Sequence, residues 1–212
     1  MQKTPPLSLS SEVEHLVGQQ RERYVEKLKI AGVENDVYLL PPGLFTDVRQ
    51  HGTASSLPDF GPHDLYMYVV NNPSPYTGYD LKAFKSLDAY KYYASGHVTC
   101  LNQWIVPGAS GRHLFTAKVC THCEWYILQK VMLALFLRSL QVHHSCALTS
   151  EVLKPWAVIQ KDGRVLCGHC TCKAGLGEVC SHIAALLYTL DATVKKAQEK
   201  SCTDGHRQWG PL

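Results

Sequence analysis

Apolar side chains near the start of the chain recur at the spacing of one helix face. Ser11 and Glu14 form the Ser-x-x-Glu pattern of a capping box at the start of this stretch. The pattern predicts an amphipathic helix over residues 12–31, which Gly32 ends. The apolar positions of that face are Val13, Leu16, Val17, Tyr24, Leu28 and Ala31.

Turn-forming residues dominate the next stretch. Residues 33–75 are rich in Pro, Gly, Asp and Asn around one apolar island at 65–70, which predicts loops around one short helix or strand. Thr77 and Asp80 then form a weaker cap for a second helix over 78–94. We interpret the lysines of that helix as a solvated face rather than a phosphate-binding patch. These lysines are Lys82, Lys85 and Lys91.

The apolar period then changes to two, which is typical of strands. Residues 97–106 and 114–119 predict one hairpin, and residues 156–160 and 164–167 predict another. The second hairpin turns at an Asp-Gly pair, residues 162–163, which is the strongest short hairpin signal. An antiparallel sheet is therefore expected in the C-terminal half.

A helix of about two to three turns is expected after His182, because apolar residues again share one face. Helices and an antiparallel sheet together place the chain in the α+β class. The apolar positions of this last helix are Ile183, Ala184, Leu186, Leu187 and Leu190.

The composition is that of a folded chain without a strong charge. Hydrophobic residues make up 45% and charged residues 18% of the 212 residues, which excludes a disordered polar chain. The net charge of +3 is too small to indicate a nucleic-acid or membrane partner by itself. The longest apolar run, residues 131–137, is far shorter than the roughly 20 residues of a transmembrane helix. We therefore expect no membrane partner.

The cysteines indicate a reducing compartment. There are 9 of them, an odd number that does not fit a closed disulfide framework. Residues 1–11 also lack the apolar core of a signal peptide. The sequence therefore predicts an intracellular protein, with the nucleus as one candidate compartment.

Metal-binding residue types follow the second hairpin. Three thiols and one imidazole, at Cys170, Cys172, Cys180 and His182, make a complete tetrahedral set for a structural Zn²⁺ ion. Residues i and i+2 of an extended segment point to one side, so Cys170 and Cys172 can face one ion. In a helix such positions lie roughly 200° apart. Cys180 is therefore predicted just before the helix and His182 in its first turn.

Two glycines and two further metal-binding residue types lie close to these four candidate ligands in the sequence. Gly175 and Gly177 permit a tight return between the two ligand pairs. Cys167 and His169 fall on the opposite strand face, and we interpret them as neighbours rather than ligands. The alternative is that all four candidate ligands are buried, unligated side chains. A closed zinc set has no open position for water, so a structural role is predicted.

The pattern Cys-x-Cys, a short spacer, then Cys-x-His entering an apolar helix resembles the SWIM-type zinc finger. The resemblance covers roughly residues 150–192 and includes the preceding strand pair. It implies a ββα-type finger. Its zinc ligands would be Cys170, Cys172, Cys180 and His182.

The wider chain is similar to transposon-related proteins of fish and invertebrates in which such a finger precedes a YqaJ-like recombinase nuclease. The similarity is carried by residues 73–77, 85–90, 153–156 and 170–187. The sequence ends near the point where the nuclease would begin, and it has no acidic cluster with a Glu-x-Lys signature. We therefore expect the accessory part of such a protein without its catalytic part.

A block of 34 residues separates two strands that a short loop joins in the proteins the chain resembles. We interpret residues 120–141 as an insertion or a retained intron, and both origins stay open. The simplest structural interpretation of the block is an apolar helical run that packs. A second set of three thiols and one imidazole would be Cys120, Cys123, His143 and Cys146.

The expected organisation has four parts. Residues 1–95 form a helical and loop region, 96–149 carry strands and the insertion, 150–192 form the finger, and 193–212 form a tail. The predicted function is zinc binding by a non-catalytic module with a DNA or protein partner and no small-molecule substrate. An excess of three basic residues over 154–207 permits weak phosphate contact.

Two enzymatic alternatives belong to a different class. The first is a truncated YqaJ-like exonuclease or recombinase of transposon origin. The second is a thiol hydrolase or redox protein, which no family signature or βαβ pattern supports. Its candidate residues are Cys120, Cys123, Cys146, His143 and His144.

Overall fold

Helices and one antiparallel sheet make up the described part of the chain, as expected for the α+β class. The computed structural model of the protein describes residues 8–51, 56–71, 86–108, 111–120 and 152–203. Within these ranges the helices are α1 (Gln19–Ala31), α2 (Val48–His51), α3 (Pro62–Val70), α4 (Ser86–Ala94) and α5 (Ser181–Thr203). The strands are β1 (Thr46–Asp47), β2 (Val98–Ile105), β3 (Arg112–Cys120), β4 (Val152–Leu153), β5 (Trp156–Gln160) and β6 (Val165–His169).

The six strands form one sheet with antiparallel neighbours. The order is β1-β2-β3-β5-β6, and β4 pairs with the far end of β3. Leu114 of β3 lies opposite Trp104 on one side and Val158 on the other, and Val158 lies opposite Cys167. Both predicted hairpins, β2–β3 and β5–β6, are therefore confirmed.

The turn between β5 and β6 is fixed by a long-range contact. Gly163 has φ 93, a left-handed conformation that favours glycine. A Cβ atom there would lie 2.2 Å from the carbonyl oxygen of Asp59. The amide of Asp59 in turn donates to the carbonyl of Lys161 at 3.0 Å. The Asp-Gly turn therefore also holds the segment that leads into α3.

Apolar packing covers both faces of the sheet. On β5, Ala157 and Ile159 join the core formed with α3, α4 and α5, whereas Trp156 and Val158 join the core formed with α1. A strand buried on both faces has no polar alternation, which explains its continuous apolar run. The cysteine-rich segment leaves the sheet at the end of β6, on the side covered by α5.

The first helix begins later than the sequence predicts. The helix starts at Gln19 instead of residue 12, after Gly18 with φ 53. Val13 and Leu16 are still buried, but Val13 lies in a turn and Leu16 directly follows it, both before the helix begins. The amide of Ser10 donates to the Asp36 carboxylate at 2.8 Å, and this tie favours the turn over a capping box. The helix does end at Gly32, whose φ is 76.

The other predicted helices agree in position but not always in length. The apolar island at 65–70 lies in α3 and is helical. The predicted helix 78–94 is confirmed over Ser86–Ala94, and its first part lies outside the described residues. The last helix, α5, has 23 residues and is much longer than the two to three turns expected.

The predicted insertion, residues 120–141, lies outside the described residues except for Cys120. Among the described helices, none is long and apolar enough to cross a bilayer.

Candidate metal centre

Four side chains of metal-binding type converge where the sheet meets α5. They are Cys170, Cys172, Cys180 and His182, and one donor atom of each lies within 4.8 Å of the others. These are the four residues that the sequence predicts as ligands. Cys170 and Cys180 are buried, whereas Cys172 and His182 are partly exposed.

The first ligand pair lies at the end of β6. His169 is the last residue of the strand, so Cys170 and Cys172 follow directly on it. Cys172 keeps an extended backbone with φ -73 and ψ 158. The amide of Lys154 donates to the Thr171 hydroxyl at 3.1 Å, which ties the residue between the two thiols to the loop before β5.

The return loop depends on one of its two glycines. A Cβ atom at Gly175 would lie 2.0 Å from the carbonyl oxygen of Cys170, so only glycine permits this close approach. At Gly177 a Cβ atom would meet nothing within 4 Å. The left-handed turn falls instead on Glu178, with φ 66. The prediction of a tight return is confirmed, and Gly175 is the residue that allows it.

The second ligand pair lies at the start of α5, as the helical spacing predicts. Cys180 precedes the first residue of the helix, and His182 lies in the first turn. The thiol sulfur of Cys180 accepts a hydrogen bond from the Ile183 amide at 3.5 Å. The positive end of the helix dipole also favours a thiolate here. The ring of Tyr92 packs on His182 with ring centroids 5.4 Å apart.

Hydrogen bonds among the three thiols shift the pKa values of Cys170 and Cys172 in opposite directions. Hydrogen bonds from Cys170 and Cys180 hold the pKa of Cys172 well below its usual range. A hydrogen bond to Cys172 and a second to Cys180 raise the pKa of Cys170, and burial adds to this. Cys172 is therefore the thiol of the cluster that ionises most readily, and the thiolate is the form in which cysteine binds a metal ion.

The donors fit a zinc ion. The Nδ1 atom of His182 is buried and has no hydrogen-bond partner among the described residues, which is costly unless another group uses it. Sulfur atoms of a tetrahedral zinc site lie about 3.8 Å apart, given Zn–S bonds of about 2.3 Å. Donor separations of up to 4.8 Å are close to that geometry. Three soft thiols and an imidazole form a set that zinc prefers.

Cys167 and His169 lie near the centre but face the other way. Cys167 packs in the α1-side core, where its thiol donates to the carbonyl of Lys27 at 3.9 Å. Burial raises the pKa of Cys167 to about 12, which keeps it a neutral thiol. The ring of His169 packs on Tyr24 with centroids 4.7 Å apart. Neither residue joins the four-donor cluster, in line with their predicted place as neighbours.

The second candidate ligand set cannot be located in the same way. Cys123, His143 and Cys146 lie outside the described residues. Cys120 ends β3, where its carbonyl contacts the His97 ring at 2.6 Å. The second set therefore stays a prediction.

Sequence reasoning missed one residue beside the centre. Glu178 is 1% exposed and contacts α1 and α3, which lie far from it in sequence. Its one local signal is that it is the single carboxylate of the glycine-rich ligand loop, whose other charged residue is Lys173.

Comparisons with known proteins identify no relative of this chain. The chain matches no protein-family model, no curated protein and no solved structure. The resemblance to the SWIM-type finger therefore rests on the motif and its spacing.

Proposed function

We propose that this chain is a zinc-binding, non-catalytic module of the SWIM type. The observation that carries the proposal is the convergence of Cys170, Cys172, Cys180 and His182 within 4.8 Å. All four positions are taken by protein donors, so a bound Zn²⁺ ion has no open position for water or substrate. The bound metal ion holds β6, the return loop and α5 together. The surface that these elements form around the ion binds a macromolecular partner.

We further propose that this partner is a nucleic acid, contacted beside the β5–β6 hairpin. Arg112 and Arg164 line a shallow groove of about 530 Å³ together with Gln160 and an apolar floor. Arg164 donates to the Gln160 side chain at 3.1 Å. Neither arginine forms an ion pair with a carboxylate in the part of the chain that the structure describes. Two guanidinium groups on one groove, neither with a carboxylate partner among the described residues, suit phosphate oxygens.

A salt titration of DNA binding tests this partner class. The full chain is expected to bind a DNA duplex with an affinity that falls steeply as salt concentration rises, because phosphate contacts release counterions. Replacing both arginines, Arg112→Gln with Arg164→Gln, is expected to reduce the slope of log affinity against log salt by about 2. The measurement is fluorescence anisotropy with a labelled duplex at several salt concentrations.

Lys91→Gln is the matched control. Its side chain is 76% exposed on α4 and its ammonium group pairs with Asp88, so its removal is expected to leave the slope unchanged. An affinity that does not depend on salt contradicts the nucleic-acid version. In that case the partner of the zinc module is expected to be a protein.

A further inference from the structure

A buried carboxylate links the return loop of the metal centre to the first helix. Glu178 accepts hydrogen bonds from Arg23 at 2.7 and 3.2 Å, and the ammonium group of Lys27 lies 3.2 Å from it. The side chains of Glu178 and Lys27 are each 2% exposed. Charged groups are expensive to bury unless they are paired. The carboxylate is therefore held in one place by two cations of α1.

The backbone of Glu178 is held as firmly as its side chain. Its φ of 66 is a left-handed conformation that residues with a Cβ atom adopt only when their surroundings impose it. The hydroxyl of Tyr68, on α3, donates to the Glu178 carbonyl at 3.0 Å. Two helices from the N-terminal half thus fix the conformation of a loop residue that neither helix adjoins in sequence.

Fixing Glu178 also fixes the second ligand pair. Glu178 lies two residues before Cys180, a chain distance of at most about 7 Å. The left-handed turn at Glu178 ends the short 3-10 segment Lys173–Gly177 and sets the direction in which the chain enters α5. The positions of Cys180 and His182 relative to the first ligand pair depend on this direction.

We propose that Glu178 is a positioning residue of the metal centre and that α1 is part of the support that metal binding requires. The proposal rests on the proposed zinc function. Arg23, Lys27 and Tyr68 preset the left-handed turn at Glu178, and the turn presents Cys180 and His182 to the first ligand pair. Zinc loading and the docking of α1 are consequently coupled, each stabilising the other. The centre is then not an autonomous finger confined to residues 150–192.

Two variants of the full chain test the proposal. In Glu178→Gln the shape is kept and the charge is lost, and zinc affinity is expected to fall roughly 10-fold to 100-fold. In Tyr68→Phe only the hydroxyl donor is lost, and a fall of roughly 3-fold to 10-fold is expected. Zinc affinity is measured by competition with a chromogenic chelator. If Glu178→Gln does not fold, the zinc affinity of Tyr68→Phe tests the proposal by itself.

Glu26→Gln is the matched control. Glu26 also binds Arg23 at 2.7 Å, but its side chain is 59% exposed, whereas that of Glu178 is 2% exposed. Its removal is expected to change zinc affinity by less than about 2-fold, because exposed ion pairs contribute little.

Amide hydrogen exchange in α1 distinguishes coupling between Glu178 and the metal centre from a general loss of stability. Zinc is expected to slow amide exchange over Gln19–Ala31 in the wild type but not in Glu178→Gln. The proposal is overturned, and the proposed zinc function is kept, if the wild-type chain binds zinc, both variants bind it with wild-type affinity, and zinc does not change amide exchange in α1. A wild-type chain that binds no zinc contradicts the proposed function itself.

Discussion

Removing zinc with a chelator is expected to disorder the α5 side of the protein. Structural zinc contributes about 10–16 kcal/mol to the folding of zinc-finger peptides, which is comparable to the whole stability of a typical domain, about 5–15 kcal/mol. Cys170 and Cys180 belong to the same core as α3, α4 and α5. Without the metal, the return loop and the start of α5 lose the metal cross-link that joins them to the end of β6, and the helices that pack on α5 lose their support.

Hydrogen exchange and circular dichroism before and after chelation measure this effect. We expect the helical signal to fall, and exchange over Ser181–Thr203 to approach that of an unfolded chain. Adding Zn²⁺, but not Mg²⁺, is expected to restore both. Cys100→Ser is a suitable control, because Cys100 is exposed and outside the cluster. Unchanged protection of α5 after complete chelation would contradict the expected role of the metal.

Gly175→Ala is expected to weaken zinc binding strongly, although Gly175 is not itself a ligand. The added Cβ atom would lie 2.0 Å from the Cys170 carbonyl oxygen and 2.8 Å from its carbonyl carbon. Both atoms are backbone, so the clash cannot be relieved by a side-chain rotation. The loop must shift away from Cys170, at a cost of ~1–3 kcal/mol. Zinc affinity is therefore expected to fall roughly 10-fold to 100-fold.

Gly177→Ala provides a control within the same loop. A Cβ atom at Gly177 meets nothing within 4 Å, and its backbone is not in the left-handed region. This variant is expected to bind zinc within about 2-fold of the wild type, since compatible Gly-to-Ala changes are neutral or mildly stabilising. Competition with a chelator measures both variants. Equal affinities for the two alanine variants would show that the close approach at Gly175 does not set the loop.

Local signals in the sequence predict much of the site. The Asp-Gly pair at 162–163 specifies a hairpin turn through its own backbone preferences, and the structure has that turn. The i, i+2 spacing of each ligand pair likewise depends on nothing outside the segment. These rules place Cys180 before α5 and His182 in its first turn, where the structure has them.

Long-range contacts limit what the sequence predicts. Val13 and Leu16 have helical spacing, but the bond from the Ser10 amide to Asp36, 26 residues away, favours a turn. Glu178 is surrounded by groups 110 and 155 residues distant in sequence. No periodicity within the ligand loop carries this information, because tertiary packing decides the partners.

The zinc content of purified full-length protein tests the central claim most directly. Elemental analysis of the wild type is expected to give about one zinc ion per chain, because the four described donors make one closed tetrahedral set. Cys172→Ser and His182→Ala are each expected to lose that ion, since each removes one of the four donors. Two zinc ions per chain would also support the second candidate set at Cys120, Cys123, His143 and Cys146. A well-folded wild-type protein that contains no zinc would contradict the account.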